Sequence, residues 1–389
     1  MVAMLEEFAF WCCAGMVTYI YVGYPFLIFL ISLVTHRSVK RADFLPHACV
    51  IIAAFNEEED IKRTVLNKLE QDYPQERLSV IVVSDGSTDR TDAVVEEIIR
   101  ECPLRVRLLR QEPRQGKTAA LNLGVGAAIS DVVIFCDANS VYATDAVQRL
   151  VACLFDSSVG YVTGRMSYIS RDSSGFAKNS DSYIQYENCL RALETRVGSV
   201  VGVDGGIDAI WRKLYTSMRS DQLPDFVLPL RVIQQGKRVV YEPSAVLYED
   251  ALSRARDEFS MRVRVGLRAL WALHDERALL NPFRYPLFAW QLVSHKLMRY
   301  LAFLPLGGLF AFSALALGES SPIYGVCFAV QLVAYTFAGV GHFLANKPNI
   351  PALLLAPYYF VVLNSACALA AYNFLLGKRI VLWKPRTGA

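Results

Sequence analysis

The chain has 389 residues, 53% hydrophobic and only 20% charged, with a mean hydropathy of +0.29; this excludes a disordered chain and is too apolar for a wholly soluble one. Its 40 Lys+Arg and 37 Asp+Glu give a net charge of +3, which is no footprint for a nucleic-acid binder. Nine Cys without a CxxC pair suggest neither a disulfide framework nor a zinc site.

Taken in chain order, Phe8–Val34 carries no charge and exceeds the ~20 apolar residues that a helix needs to cross a bilayer core. Glu6 and Glu7 at its start, and its length, argue for an anchor rather than a cleaved leader. His36, Arg37, Lys40 and Arg41 follow it. The positive-inside bias then places residues 36–299 in the cytoplasm, with the chain integral to the cell (inner) membrane. The expected parts are an N-terminal transmembrane helix over 1–35, a cytoplasmic α/β domain over 36–282, an interfacial helix over 283–299 and transmembrane helices over 300–389.

In the soluble body, His47–Phe55, Leu78–Ser84 and Asp131–Cys136 are apolar, β-branched runs. Between them Glu57–Gln71, Thr91–Glu101 and Thr118–Ile129 predict helices. Continuous apolar strands alternating with helices predict a mostly parallel, Rossmann-like sheet covered on both faces. Ligands of such sheets sit beyond the C-terminal ends of the strands. Polar residues stand there in all three cases: Asn56-Glu57, Asp85-Gly86-Ser87 and Asp137-Ala138-Asn139.

The C-terminal end holds three more uncharged runs, Tyr300–Gly318, Pro322–Leu344 and Pro351–Gly377. Before them, Arg284, His295, Lys296 and Arg299 mix with Tyr285, Phe288 and Trp290, which suits a helix in the membrane interface. Three crossings would leave Lys378, Arg379, Lys384 and Arg386 outside, against the positive-inside bias. Either the interfacial segment crosses or one C-terminal run does not.

Several residues have chemistry to offer. Asp85 is a carboxylate at a strand tip with Gly86 beside it, although Ser87, Thr88 and Asp89 also read as an ordinary strand–helix turn. Asp137 and Asn139, at i and i+2, can aim two oxygens at a hard divalent cation, or simply make a turn. Lys117, in Gln115-Gly116-Lys117, opens a helix and can meet a phosphate, though the spacing is not that of a Walker A loop. Asp225 opens a helix within LPDFVLPLRV. Arg262, Arg264 and Arg268 place positive charge on one helix, where a juxtamembrane basic patch is the plain alternative. His274 and His295 have no ligand partner at useful spacing and read as structural.

The order AAFNEEEDI, SDGSTDRT, RQGKTAALN, CDANS, LPDF, MRVRVG resembles the membrane-bound family 2 glycosyltransferases over about residues 45–275. These include the synthases of cellulose, chitin, hyaluronan and poly-N-acetylglucosamine, and many bacterial exopolysaccharide transferases. The resemblance implies a GT-A fold, a nucleotide-sugar donor, commonly a UDP-sugar, and Mg²⁺ or Mn²⁺. It implies that Phe55, Asn56 and Glu57 border the base and ribose, that Asp85 binds the nucleotide, and that Lys117 lies near the donor. It further implies that Asp137 and Asn139 hold the metal and diphosphate, that Asp225 is the general base, and that Arg264 contacts the diphosphate. Three positions depart from the family pattern. Asn139 removes one charge from the metal site, Pro224 replaces an acid before Asp225, and Met261 and Val265 stand for the Gln and Trp of QxxRW. The last departure favours single-sugar transfer onto a lipid-linked acceptor over processive synthesis with extrusion of a polysaccharide.

The expected reaction is therefore inverting sugar transfer at the cytoplasmic membrane face, in contact with membrane lipids. A processive synthase and a catalytically inactive assembly partner are the alternatives. An anchored oxidoreductase is disfavoured because FNEEED stands where GxGxxG would follow the first strand. A transporter is disfavoured because no intramembrane charge marks a path.

Overall fold

The computed structural model describes residues 2–169, 175–250, 255–319, 321–345 and 351–382; Lys384 and Arg386 lie outside the described residues. Helix α1 (Val2–Thr18) passes through a π-turn at Tyr19–Gly23 into α2 (Tyr24–Val34). Together they form a 31-residue apolar helix, Met4–Val34, long enough to span. Then come β1 (Ala48–Ala54), α3 (Ile61–Leu69), β2 (Leu78–Ser84), α4 (Thr91–Glu101), β3 (Val106–Arg110), α5 (Lys117–Ala127) and β4 (Val132–Asp137). The first helix starts at Ile61 rather than Glu57. Asn56 takes a positive φ of 54°, and the Glu57 and Glu58 N–H groups bond to Thr91 and Asp89 across the strand tips.

The second half contains β5 (Val141–Tyr142), α6 (Ala146–Cys153), β6 (Val159–Ile169), α7 (Gly175–Val197), β7 (Ile207–Trp211), α8 (Pro224–Gln234), β8 (Arg238–Asp250) and α9 (Ala255–Asp275). The eight strands form one sheet in the order β3-β2-β1-β4-β7-β6-β8-β5. Strands β1–β4 pair in parallel, whereas β7 runs antiparallel to both β4 and β6. Since β1 carries β2 on one side and β4 on the other, a crevice opens beyond their C-terminal ends.

Period-two alternation sends the strand side chains to two cores. Val50, Ile52 and Ala54 meet α3, α4 and α6 through Ile61, Val65, Val95 and Leu150. Cys49, Ile51 and Ala53 meet α5, α8 and α9 through Leu121, Phe226 and Ala269. Each Val or Ile so buried contributes ~1.5–3 kcal/mol.

Beyond the body, α10 (Pro286–Leu292) and α11 (Met298–Tyr300) continue each other through a π-turn at Val293–Leu297. A 60° bend separates them from α12 (Phe303–Leu315). Helix α12 climbs along α1: a Cβ on Gly308 would meet Cys13 Sγ at 2.7 Å, and Ala316 packs on Phe10. Phe10 stands ~20 Å along the helix from Tyr24 at 1.5 Å per residue, and Tyr24 itself packs on α7 of the body. Helix α13 (Pro322–Leu344) starts at that far level, with Tyr324 on Phe10. It returns until Ala338 joins a cluster with Phe259 of α9.

Helix α14 (Ala352–Leu375) has the length and composition of a span, yet it lies lengthwise on α9. The Tyr359 hydroxyl donates to Glu258 at 3.2 Å, Gly266 faces Ala370, and the Trp271 and Phe374 rings are 4.6 Å apart. Lys378 and Arg379 therefore end against the α/β body. Along this path α12 runs beside α1, α13 returns towards α9 and α14 packs on α9.

Candidate active site

The crevice is built from three strand tips zipped together by side chains. At the first tip, the Asn56 side-chain oxygen accepts the Thr88 N–H at 2.8 Å and its N–H donates to Ser87 Oγ. At the second, the Asp89 carboxylate accepts the Thr91 N–H and hydroxyl at 2.9 and 2.5 Å. Burial acts against its charge, but those bonds hold its pKa below the usual carboxylate value.

Asp85 is fully buried. Its two oxygens accept the Gln111 amide at 2.5 Å and the Gln115 and Gly116 N–H groups at 2.8 and 2.9 Å. This pins the Gln115-Gly116-Lys117 turn and so fixes where α5 begins. Gly116 is at φ +96°, a conformation other residues adopt only with strain. The Arg114 guanidinium lies 3.4 Å from the centre of the Phe55 ring, so Phe55 and Asp85 border one recess.

At the α5 N-terminus the Lys117 ammonium meets Asp137 at the end of β4 at 2.5 Å. Burial works against the lysine's charge, but Asp137, Asp225 and Asp208 more than offset it and raise its pKa. Asp225 stands at the α8 N-terminus. Burial raises its pKa, the Asp137 and Asp204 charges add to this, and Lys117 and Arg268 oppose it. Its carboxylate rests on Gly205, where a Cβ would collide with the carboxyl carbon at 2.3 Å. Asp85, Lys117, Asp137 and Asp225 thus converge on one crevice.

Arg264 lies one turn before Arg268 on α9 and is half-buried. The arginine whose charge acts on Asp225 is Arg268. Arg268 is buried; its guanidinium donates to the Asp221 and Gln222 carbonyls and to Thr118 Oγ1. It thereby fastens the segment before Asp225 to the first turn of α5. Burial lowers its pKa to about 10, and the neighbouring Arg264 charge acts in the same direction.

Three features were not resolved by sequence reasoning. Arg268 read only as part of a basic patch. The Asp204-Gly205-Gly206 turn makes the close approach under Asp225, and its paired glycines were the available signal. Asp204 itself is held by Arg191 of α7 at 2.6 Å. The third is the chain after α14. Arg379 pairs with Asp221 and lies 3.9 Å over the Trp271 ring. The Lys378 carbonyl accepts the Trp271 N–H at 2.8 Å. The Val381 carbonyl sits where a Cβ on Gly116 would be 2.8 Å away. His295 is structural, between Glu194 at 2.6 Å and Glu187 at 3.3 Å.

Among the described residues no group of three or more His, Cys, Asp or Glu is placed to hold a metal. The oxygens of Asp137 and Asn139 are hard donors bearing one charge. That suits a divalent cation which takes its remaining ligands from substrate phosphates and water.

Residues 49–217 match the family model described as Glycosyl transferase family 2. The chain is 35% identical over 249 residues to "Probable glycosyltransferase YdaM" of Bacillus subtilis (strain 168), covering 61% of this chain and 57% of that relative. It is 25% identical over 364 residues to a poly-beta-1,6-N-acetyl-D-glucosamine synthase of Staphylococcus aureus (strain COL), covering 87% and 86% respectively. The mannosyltransferase PcManGT from Pyrobaculum calidifontis, solved with GDP-Man and Mn²⁺, superposes with a TM-score of 0.71 at 23% identity over 94% of this chain and 99% of that one, a likeness of fold. The chain therefore carries a family 2 glycosyltransferase domain of GT-A fold, joined to helices of membrane-spanning length.

Proposed function

We propose that this protein transfers a sugar, with inversion, from a UDP-sugar to a lipid-linked or polysaccharide acceptor at the cytoplasmic membrane face, in exopolysaccharide or cell-surface glycan synthesis. The observation that carries this is the Lys117–Asp137 pair beside Asp225, beyond the tips of β1, β2 and β4.

In this reading the nucleotide lies in the recess of Phe55, Asn56, Glu57 and Asp85, with the Gly116 turn beneath it. Asp137 and Asn139 hold Mg²⁺ or Mn²⁺, which when bound places positive charge on the donor diphosphate. Lys117 turns from Asp137 towards the diphosphate, and Arg264 adds charge from α9. Asp225 accepts the proton of the acceptor hydroxyl. Its raised pKa makes it a better base than an exposed aspartate. Arg268 positions Asp225 by fixing Asp221 and Gln222.

Processive synthesis is the second reading. It is favoured by the similarity to the poly-beta-1,6-N-acetyl-D-glucosamine synthase, which extends over 86% of that relative. Membranes bearing the chain, supplied with Mg²⁺ or Mn²⁺ and a panel of UDP-sugars, test both. UDP release with one sugar supports the enzyme, and none with any sugar overturns it. A ladder of products selects processive synthesis.

A further inference from the structure

Asp208 has a carboxyl that the reading above does not use. It is 1% exposed, and neither oxygen has a partner at good hydrogen-bond geometry among the described residues, although the Thr163 and Tyr161 hydroxyls stand close enough to act on it. The Thr163 hydroxyl beside it is buried and equally unpartnered.

The sheet register places both under the site. Asp208 of β7 stands opposite Phe135 of β4 and Thr163 of β6. Phe135 and Asp137 share a strand face, so Asp137 is the diagonal neighbour of Asp208, at about 7–8 Å. Tyr161 and Ile210, two residues along from Thr163 and Asp208, belong to the core under α5, α8 and α9. Asp208 thus points from the sheet towards the helix N-termini that carry Lys117 and Asp225.

The groups around it come from every neighbouring element. They are Lys117 on α5, Asp137 on β4, Asp225 on α8, Asp204 before β7, Tyr161 and Thr163 on β6, and Tyr142 on β5. Three of the seven are carboxylates and one is a cation. An ionised, unpaired carboxylate buried there would be strongly unfavourable. A neutral acid can donate its proton to a hydroxyl oxygen.

We propose that Asp208 is a positioning residue that serves in its protonated form, keeping the floor of the site neutral so that Lys117 stays available to Asp137 and the donor diphosphate. Its ionisation would place a further negative charge under the diphosphate and draw Lys117 inward. Burial raises its pKa to about 8; the Thr163 and Tyr161 hydroxyls oppose this by favouring the charged form, and the Asp225 and Asp204 charges add to it. The inference rests on the donor-site reading given above.

The test compares the full-length wild-type chain with Asp208→Asn in detergent, by two measurements. The first is the unfolding midpoint against pH, which needs no donor. A carboxyl whose pKa is raised in the folded state loses stability as pH rises from its unfolded value of ~3.8 towards 8. The Asn variant lacks that loss. Its midpoint relative to wild type should climb between pH 4 and 8 and then level off. The second is the affinity for UDP with Mn²⁺. It should weaken in wild type as pH rises through about 8 and stay flat in the variant. Parallel profiles in the first measurement overturn the proposal, as does an identical alkaline fall in the second. Absence of UDP release from any sugar, with the midpoint profiles still diverging, would instead overturn the donor-site reading. Should Asp208→Asn fail to fold, Asp208→Ser gives the same comparison.

Discussion

The two halves of the sheet reach the crevice by different means. On the β1–β4 side, Asn56, Asp85 and Asp137 stand at or just past the ends of parallel strands, and their bonds run to nearby turns: Asn56 to Thr88, Asp85 to Gly116, Asp137 to Lys117. On the β6–β8 side, Asp225 is placed by elements far apart in sequence. Gly205 sets its floor, Arg268 of α9 holds the preceding turn, and Arg379, beyond the last helix, ties down Asp221. The side proposed for the nucleotide is therefore a local construction. The side proposed for the acceptor is a long-range assembly whose geometry depends on how α9 and the segment after α14 pack.

Substitutions can break this contrast, beginning with the largest expected effect. Asp225→Asn keeps the shape but removes the base, and sugar transfer should fall by ~10²–10⁴ while UDP affinity is retained. Wild-type turnover would remove Asp225 from its assigned role. Gly205→Ala follows. The added carbon meets the Asp225 carboxyl, and φ of +87° is strained for Ala. Transfer should drop at least tenfold with UDP binding intact, measured by turnover and calorimetry on the same sample.

Arg268→Met comes next. It leaves the Asp221 carbonyl without its donor and the Gln222 carbonyl with the Thr118 hydroxyl alone, at a cost of about 1–3 kcal/mol. A lowered unfolding midpoint together with lost turnover would show that the acceptor side depends on this clamp, and an unchanged midpoint would refute it. The smallest effect is expected for Arg379→Ala. Arg379 is the exposed member of the pair and Asp221 keeps Arg219, and such surface pairs contribute ~0–1 kcal/mol. Stability should hardly move, whereas the apparent KM for the donor should change because the segment facing Gly116 is released. A KM equal to wild type would mean that the segment has no bearing on the donor.

Much of this was readable in the linear chain, for a definite reason. Strands β1, β2 and β4 announce themselves as β-branched apolar runs, and in a parallel sheet the polar residue just past such a run has to lie at the crevice. Asp85 and Asp137 could be placed from local pattern alone. The anchor helix and the uncharged C-terminal runs followed equally directly, because crossing a bilayer is a matter of length and charge.

What local pattern could not supply was everything decided by packing between distant segments. Strands β5 and β7 are short, β6 and β8 pair in parallel through register shifts, and their order in the sheet is set by pairing across large sequence separations. Helix α14 has the hydropathy of a span, but its docking on α9 depends on surfaces that only the folded α9 presents. Arg268 and Arg264 are chemically alike in the sequence, and only the position of the α8 N-terminus distinguishes them. Asp208 likewise reads as one more acidic residue until the sheet register buries it without a partner. Composition and period thus determined the apolar helices, the parallel strands and the polar residues at their tips. Tertiary structure decided the environment of each carboxylate, because burial and neighbouring charge are properties of the assembled fold.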